Sequence, residues 1–488
     1  MSDAPPTLDS MKVEALYVVS DLHLGGRASH ALFNQHAQLA AMIDAIGAAS
    51  SKGARIALCF NGDIVDFLIE RQNEYVDLGG AKADLDALSR GPARPVFVAL
   101  TRFTARADAL LLLNLGNHDL ELVHPAVREQ FTALVAADGA AKKRVLWSTV
   151  GFEGTVAAQR VRVVHGNASD VWNKIDDDTF LRVAASSANV DPLSGETPNG
   201  GTQLVVDVLN KIKDRFPFVD LLKPETGAVP PVLVALPGGA ELMKPLLPKF
   251  GAAFANTITN RLKKLIGVLS ATDPTRDAAT GASVHRGPPV RDRELSKDDI
   301  RTMVDLALER DRPIEEMLPG DGSTLGLFDY FAARWARQSP VEALRAALRE
   351  YATDQTFSFT SLDSYDRDID AREDSAHAVL IAGHTHLARF APRARGGSYI
   401  NTGTWIRLIR ITDELLSDRV FPKVYAALER QDIASLDEPQ GTPPIIFQRN
   451  SVAYVGPANR HGAHPSVALF SFVDGPSRWK LEAPPQGL

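Results

Sequence analysis

Five short segments carry the residues whose types and spacing could do chemistry together. They are Asp21-Leu22-His23, Gly62-Asp63-Ile64-Val65-Asp66, Gly116-Asn117-His118-Asp119, His165-Gly166-Asn167 and Gly383-His384-Thr385-His386. Imidazole nitrogens and carboxylate or amide oxygens suit borderline divalent cations. A centre of two such ions roughly 3.5 to 4 Å apart draws donors from several segments and needs one carboxylate that can bridge. This set supplies those donor types. Side chains two positions apart on extended backbone point the same way, so Asp21 with His23, and His384 with His386, can each aim two donors at one region. A DxH or a GD pair by itself more often marks a turn or a helix cap. The ordered combination with GNHD and GHTH is what points to metal.

These segments must be held by elements, and each follows an apolar run at once: Leu16 to Val19, Ile56 to Phe60, Leu110 to Leu115, Val161 to Val164 and Val379 to Ala382. Strands of an open α/β sheet deliver ligands at their C-terminal ends in this way. Ala31 to Ala49, with Ala, Leu and Ile at helical spacing, predicts a crossover helix between the first two strands. After His386 the texture turns β-rich, in Ser398 to Ile400, Trp405 to Ile411, Ile445 to Phe447, Val452 to Val455 and Val467 to Val473, which predicts a second sheet. Val171 to Ser375 is too long for a loop and has helical texture in Gln203 to Arg215, Ala252 to Leu269, Lys297 to Glu309 and Val341 to Tyr351. It reads as a mainly helical inserted subdomain, with Asp273 to Arg293 as a Pro- and Gly-rich loop within it.

In their order and content the five segments resemble the calcineurin-like metallophosphoesterase superfamily, whose motifs run DxH, GDxxD, GNH[DE], H and GHxH. The resemblance implies an α/β fold of two stacked mixed sheets flanked by helices, formed here by residues 1–170 and 376–488, with 171–375 as a helical insertion or cap. It implies that Asp21, His23 and His386 hold one ion, that Asn117, His165 and His384 hold the other, and that Asp63 bridges both. His118 would stand over the substrate phosphate, oriented by Asp66. The implied activity is hydrolysis of phosphomonoesters or phosphodiesters by a hydroxide shared between two divalent cations, with Mn, Fe, Zn and Co all fitting the donors and Mn favoured. Within the superfamily, intracellular bacterial UDP-diacylglucosamine pyrophosphate hydrolases are similar in their SDLHL-type opening and helical cap. This chain departs from them in its larger insertion and in GNHD, where they carry Arg in place of the His.

Plainer roles compete for several residues. Asp66 also suits a helix start, and Asp119 either touches substrate or supports the ligands from behind, or serves a turn or N-cap. The run Asp176-Asp177-Asp178 reads as a solvated helix start, and His30, His36, His124, His285, His377, His461 and His464 as surface or packing residues. Cys59, the single cysteine, sits in RIALCF as a small buried hydrophobe. Leu233 to Leu269 mixes Leu242, Met243, Leu246, Leu247, Phe250, Phe254, Leu262, Leu265 and Ile266 with Lys244, Lys249, Arg261, Lys263 and Lys264, so it reads either as subdomain core or as an acyl-chain or membrane-surface contact. A lipid-linked pyrophosphate hydrolase is therefore an alternative reading, and an inactive metal-binding scaffold is one of another class. With 45% hydrophobic and 23% charged residues, global disorder is excluded. A net charge of -7 gives no overall case for nucleic acid as a partner. Thr226 to Ala240, the longest uncharged stretch, is short and interrupted by prolines, so no membrane span is expected, and no secretory signal is visible at the N-terminus. A cytoplasmic enzyme acting on a phosphoester is the expectation.

Overall fold

The structure, a computed structural model, describes residues 5–26, 31–49, 54–69, 76–170, 173–186, 339–352, 355–373, 376–430, 433–437, 441–458, 464–473 and 478–484, with short pieces between 193 and 236 and single positions near the C-terminus. The chain opens as βα units: β1 (Val13–Val19), α1 (His36–Ala48), β2 (Arg55–Asn61), α2 (Leu78–Arg90), α3 (Arg94–Ala105) and β3 (Ala109–Asn114). The three strands pair in parallel, with Leu16 beside Ala57 and Ala57 beside Leu110. Their sequences VEALYVV, RIALCFN and ALLLLN are apolar at nearly every position. Such strands are stable only when both faces are covered.

Alternate side chains meet different neighbours. Leu16, Val18, Ala57, Cys59, Leu110 and Leu112 join one apolar cluster with Phe152, Val161, Val163, Val379, Ile381 and Ile400. Tyr17, Leu58, Leu111 and Leu113 are equally buried on the opposite face, where α1 and α3 lie against the strands. Cys59 is thus a core residue, as expected, and its thiol is free.

The remaining strands are β4 (Val145–Ser148), β5 (Phe152–Val156), β6 (Gln159–Val163), β7 (Val379–Ala382), β8 (Ala388–Pro392), β9 (Ser398–Thr402), β10 (Leu408–Ile409), β11 (Ile446–Phe447), β12 (Ser451–Val455), β13 (Val467–Phe472) and β14 (Trp479–Ala483). Seven strands form a mixed sheet in the order β14-β13-β12-β1-β2-β3-β4, and five form a second in the order β5-β6-β7-β9-β8. The shared apolar cluster is the layer between them, so the fold is α/β with two mixed sheets flanked by helices.

Three expectations are corrected here. The strands that lead into His165 and His384 belong to the five-stranded sheet, so the five metal-type segments come from two sheets. The late β-rich region is divided: β8 and β9 complete the second sheet, while β12 to β14 return antiparallel to β1. Apolar pattern specifies which face of a strand is buried but not which neighbour it pairs with. The third concerns boundaries. The helix expected over Ala31 to Ala49 starts at His36, and only Leu408–Ile409 of the Trp405 to Ile411 run is strand.

The chain forms two compact units, one of Met1–Asn210, Gln355–Arg407 and Phe447–Leu488, which contains both sheets, and one of Lys211–Asp354 and Leu408–Ile446. In the second, the helix Pro340–Ala352 buries Ala343, Leu344, Ala347 and Leu348 along one face. The Ser339 hydroxyl accepts from Glu342 N–H at 3.2 Å while the Glu342 carboxylate accepts from Ser339 N–H at 3.3 Å, a reciprocal cap. The helical texture of Ala252 to Leu269 and Lys297 to Glu309 lies outside the described residues. Among the described residues no helix is long and apolar enough to cross a membrane.

Candidate metal centre

Each of the five segments leaves the C-terminal end of a strand: β1 leads into Asp21, β2 into Asp63, β3 into Asn117, β6 into His165 and β7 into His384. The pairs converge through unusual backbone rather than through the strand alternation expected from spacing. Asp21, His23, Asp63, His384 and His386 have φ of 52°, 45°, 52°, 70° and 61°. Only three other non-glycine residues among those described have positive φ, so this left-handed conformation is concentrated at the candidate ligands. It costs an L-residue on the order of 1 kcal/mol or more and persists only where surroundings impose it. Here a backbone ladder imposes it: Asp21 N–H donates to Gly62 O at 3.0 Å, His23 N–H to Asp63 O at 2.9 Å and Asp66 N–H to Leu24 O at 3.1 Å. Gly62 and Gly116 leave room for the donors, because a Cβ on Gly62 would collide with His165 Nδ1 and one on Gly116 with Asp63 Oδ1.

The donors form three groups, two of which share Asp63, while the third joins His23, Asp66 and His118. One ligand atom from each of Asp21, His23, Asp63 and His386 lies within 4.8 Å of the other three, and the same holds for Asp63, His165 and His384. Asp63 Oδ2 stands 3.3 Å from His165 Nε2 and 3.8 Å from His23 Nε2. Within the first group His23 Nε2 and His386 Nε2 face one another at 3.0 Å, and His386 Nε2 is 3.4 Å from Asp21 Oδ1. Asn117 Oδ1 joins the second group at 3.3 Å from His165 Nε2. His165 Nδ1 is hydrogen-bonded to Asn61 O at 2.9 Å and His384 Nε2 to Asp170 at 3.0 Å, which leaves the opposite nitrogen of each ring for a cation. This donor set fits two divalent cations.

His118 and Asp66 flank the first group. Asp66 Oδ2 lies 3.3 Å from His23 Nδ1, and its Oδ1 lies 3.6 Å from His118 Nδ1, which is buried without a hydrogen-bond partner. The same Oδ1 accepts the N–H groups of Leu68 and Ile69, both at 3.1 Å, so Asp66 also closes a turn. Burial opposes charge on Asp66 and Asp63, but neighbouring imidazoles prevail and hold both carboxyls well below the usual range: His118 and His23 for Asp66, His165 foremost for Asp63. Burial likewise opposes protonation of His118 and His165, and the carboxylates, Asp63 foremost, raise them to about 10 and about 9. In Asp21 burial wins and its pKa is raised. So dense a mutual perturbation marks a functional-site candidate. Cations bound among the same carboxylates would take over the part now played by imidazolium.

Four further residues support this frame. The Asp119 carboxylate accepts Ile64 N–H at 2.8 Å, Val65 N–H at 3.2 Å and Gly116 N–H at 2.9 Å, which ties the β2 and β3 loops together. It makes no side-chain cap to its own helix, contrary to the N-cap expected of it. Asp170 is the partner of His384. The Ser20 hydroxyl donates to Asp21 Oδ2, and Asn401 Nδ2 donates to Gly383 O at 2.8 Å. Ser20 and Asp119 adjoin the motifs and were findable as polar residues flanking ligands. Asp170 and Asn401 carry no local signal.

Other polar residues have plainer roles. Asp176 N-caps the helix Asp177–Ala185 by accepting Thr179 N–H at 2.7 Å. His124 Nδ1 accepts Ala126 N–H at 3.2 Å at the start of another helix. His36 packs edge-on to Phe33, and His464 edge-on to Tyr454 and Phe470. His377 is buried 3.5 Å from Glu153. His30, His285 and His461 lie outside the described residues.

Comparison with protein-family models and with curated proteins returns no match to this chain.

Proposed function

We propose that this chain is a metal-dependent hydrolase of phosphomonoesters or phosphodiesters. The observation that carries the reading is Asp63, one carboxylate shared by two converging sets of neutral and anionic donors at the ends of strands. The resemblance in motif order supports it. Asp21, His23 and His386 would hold one ion, Asn117, His165 and His384 the other, with Asp63 between them. When bound there, two cations would supply a nucleophile from water near neutral pH and neutralise charge on a phosphoryl group.

The protein's own groups do the rest. His118 faces the Asp66 carboxylate, which favours its protonated form, and can give its proton to a leaving oxygen. Its side chain is partly exposed at the rim, while its N–H donates to Asp63 Oδ1 at 3.0 Å and so fixes the bridging carboxylate. Asp66 holds the His23 ring and faces the His118 ring, positioning both.

The test is metal analysis of the purified protein together with hydrolysis of aryl and bis-aryl phosphates with Mn added. Two ions per chain and metal-dependent turnover are expected, and Asp63→Asn should lose more metal than any other single ligand change. Full occupancy in Asp63→Asn would sink the assignment. The basic amphipathic stretch behind the lipid reading lies outside the described residues, so nothing in the site favours a lipid over a soluble ester.

A further inference from the structure

A polar cavity has none of the candidate donors in its lining. Its volume is about 400 Å³, within the size range of small-molecule sites, and it is bounded by the start of α1, the chain around Phe447 to Asn450, the end of β13 and part of β14. Two of its lining side chains have buried oxygens with no hydrogen-bond partner, Asn450 Oδ1 and Ser471 Oγ. Ser471 is 4% exposed. Directly opposite it in the β12–β13 register, Ser451 has a buried hydroxyl in the same condition. Buried polar atoms are almost always paired, and leaving one unpaired costs about 1 to 3 kcal/mol. Two at one cavity, with a third beside them on the neighbouring strand, call for a ligand that brings hydrogen-bonding groups of its own.

The lining restricts what that ligand is. Arg449 is held over the rings of Phe359 and Phe447, with its guanidinium carbon 4.2 and 4.9 Å from their centroids, so one positive charge is fixed in place. Lys480 pairs with Glu482 at 2.9 Å. A cation would meet Arg449. An anion would meet Glu482 and the acceptor oxygen of Asn450, which requires a donor. A neutral molecule rich in hydroxyls satisfies both lining oxygens, because each hydroxyl both donates and accepts. Phe447, also in the lining and only partly buried, offers apolar surface to the C–H face of a ring.

We propose that this cavity binds a neutral polyhydroxylated ring, a sugar or cyclitol. It is distinct from the metal centre and does not depend on the hydrolase reading. Val18 pairs with Ala453, so Ser451 falls at the end of β1 that leads into Asp21, and the cavity lies toward the same end of the sheet as the candidate ions.

Saturation-transfer NMR of the full chain, with metal removed by chelation, tests this using glucose, maltose and myo-inositol at about 20 mM, a range that detects millimolar binding. Adenosine and acetate are the controls. Transfer from at least one of the three polyols is expected. Asn450→Leu and Ser471→Ala should each weaken it by roughly tenfold, the scale of one hydrogen bond. Ser471→Ala should leave Tm unchanged, because its hydroxyl has no partner within the protein. No transfer from any polyol, transfer undiminished in both variants, or transfer from adenosine or acetate alone would overturn the proposal. A fall in Tm for Ser471→Ala without polyol binding would show a cavity that holds only water.

Discussion

His118 and Asp119 are neighbours with separate tasks. His118 groups with Asp66 and His23 rather than with the sets around Asp63, so His118→Ala should keep the metal content of the parent. Turnover should drop by roughly 10²- to 10⁴-fold for a poor leaving group and much less for a good one, because a leaving group that departs as a stable anion needs no proton. A leaving-group series measured on both proteins checks this, and equal losses across it remove the general-acid role. Asp119 instead holds the frame by accepting three backbone N–H groups. Asp119→Ala strands those donors in a buried place and should cost on the order of 3 kcal/mol in a denaturant melt. A change within experimental error would mean that water reaches them.

Elements act through the backbone of their ends. The loops after β1, β2 and β7 carry left-handed residues where an extended strand could not bring the pairs together, and the β3 loop passes close enough to Asp63 to require glycine at 116. Gly116→Ala should therefore reduce metal binding while far-UV circular dichroism stays unchanged, since the strand itself is not altered. Equal metal affinity in the variant would contradict that close approach. At the first residue of α1, burial and then the charge of Arg407 depress His36 to about 4. Above pH 6.5 the ring is neutral whether folded or unfolded and contributes no pH dependence. As pH falls from 6.5 toward 4, the unfolded chain takes up a proton that the folded chain refuses, so stability falls over that window. His36→Gln should flatten this part of a Tm-versus-pH curve, and an unchanged slope would reject the burial argument.

At the scale of the whole molecule, all seven candidate ligands lie in the unit that contains both sheets. A cation that binds only the folded form stabilises it by about 2.7 kcal/mol at a hundredfold excess over Kd. Differential scanning calorimetry should show that Mn raises one transition and leaves a second, from Lys211–Asp354 with Leu408–Ile446, in place. One transition that moves as a whole would show that the two units unfold together.

The local chemistry was legible because it is written locally. Donor types sit within a few residues of one another, and the apolar runs before them are dense enough to read as strands, as in RIALCFN before Gly62 and Asp63. Both sheets' inner strands, the helix Pro340–Ala352 and the grouping of Asp21, His23, Asp63, His165, His384 and His386 follow from such signals. What only the tertiary structure decided is long-range. Strand partners depend on pairing energy spread over the whole sheet, so the return of β12 to β14 beside β1 and the division of the ligand loops between two sheets have no mark in any one segment. Asp170 finds His384, and Asn401 finds Gly383, across gaps in sequence that no motif spans. Strands such as β4, β5, β8 and β14 mix polar and apolar residues over four or five positions, too few for a period to emerge. The orphan oxygens of Asn450, Ser451 and Ser471 belong to the same class: a serine in a sequence is unremarkable, and only the folded chain decides whether its hydroxyl has been left without a partner.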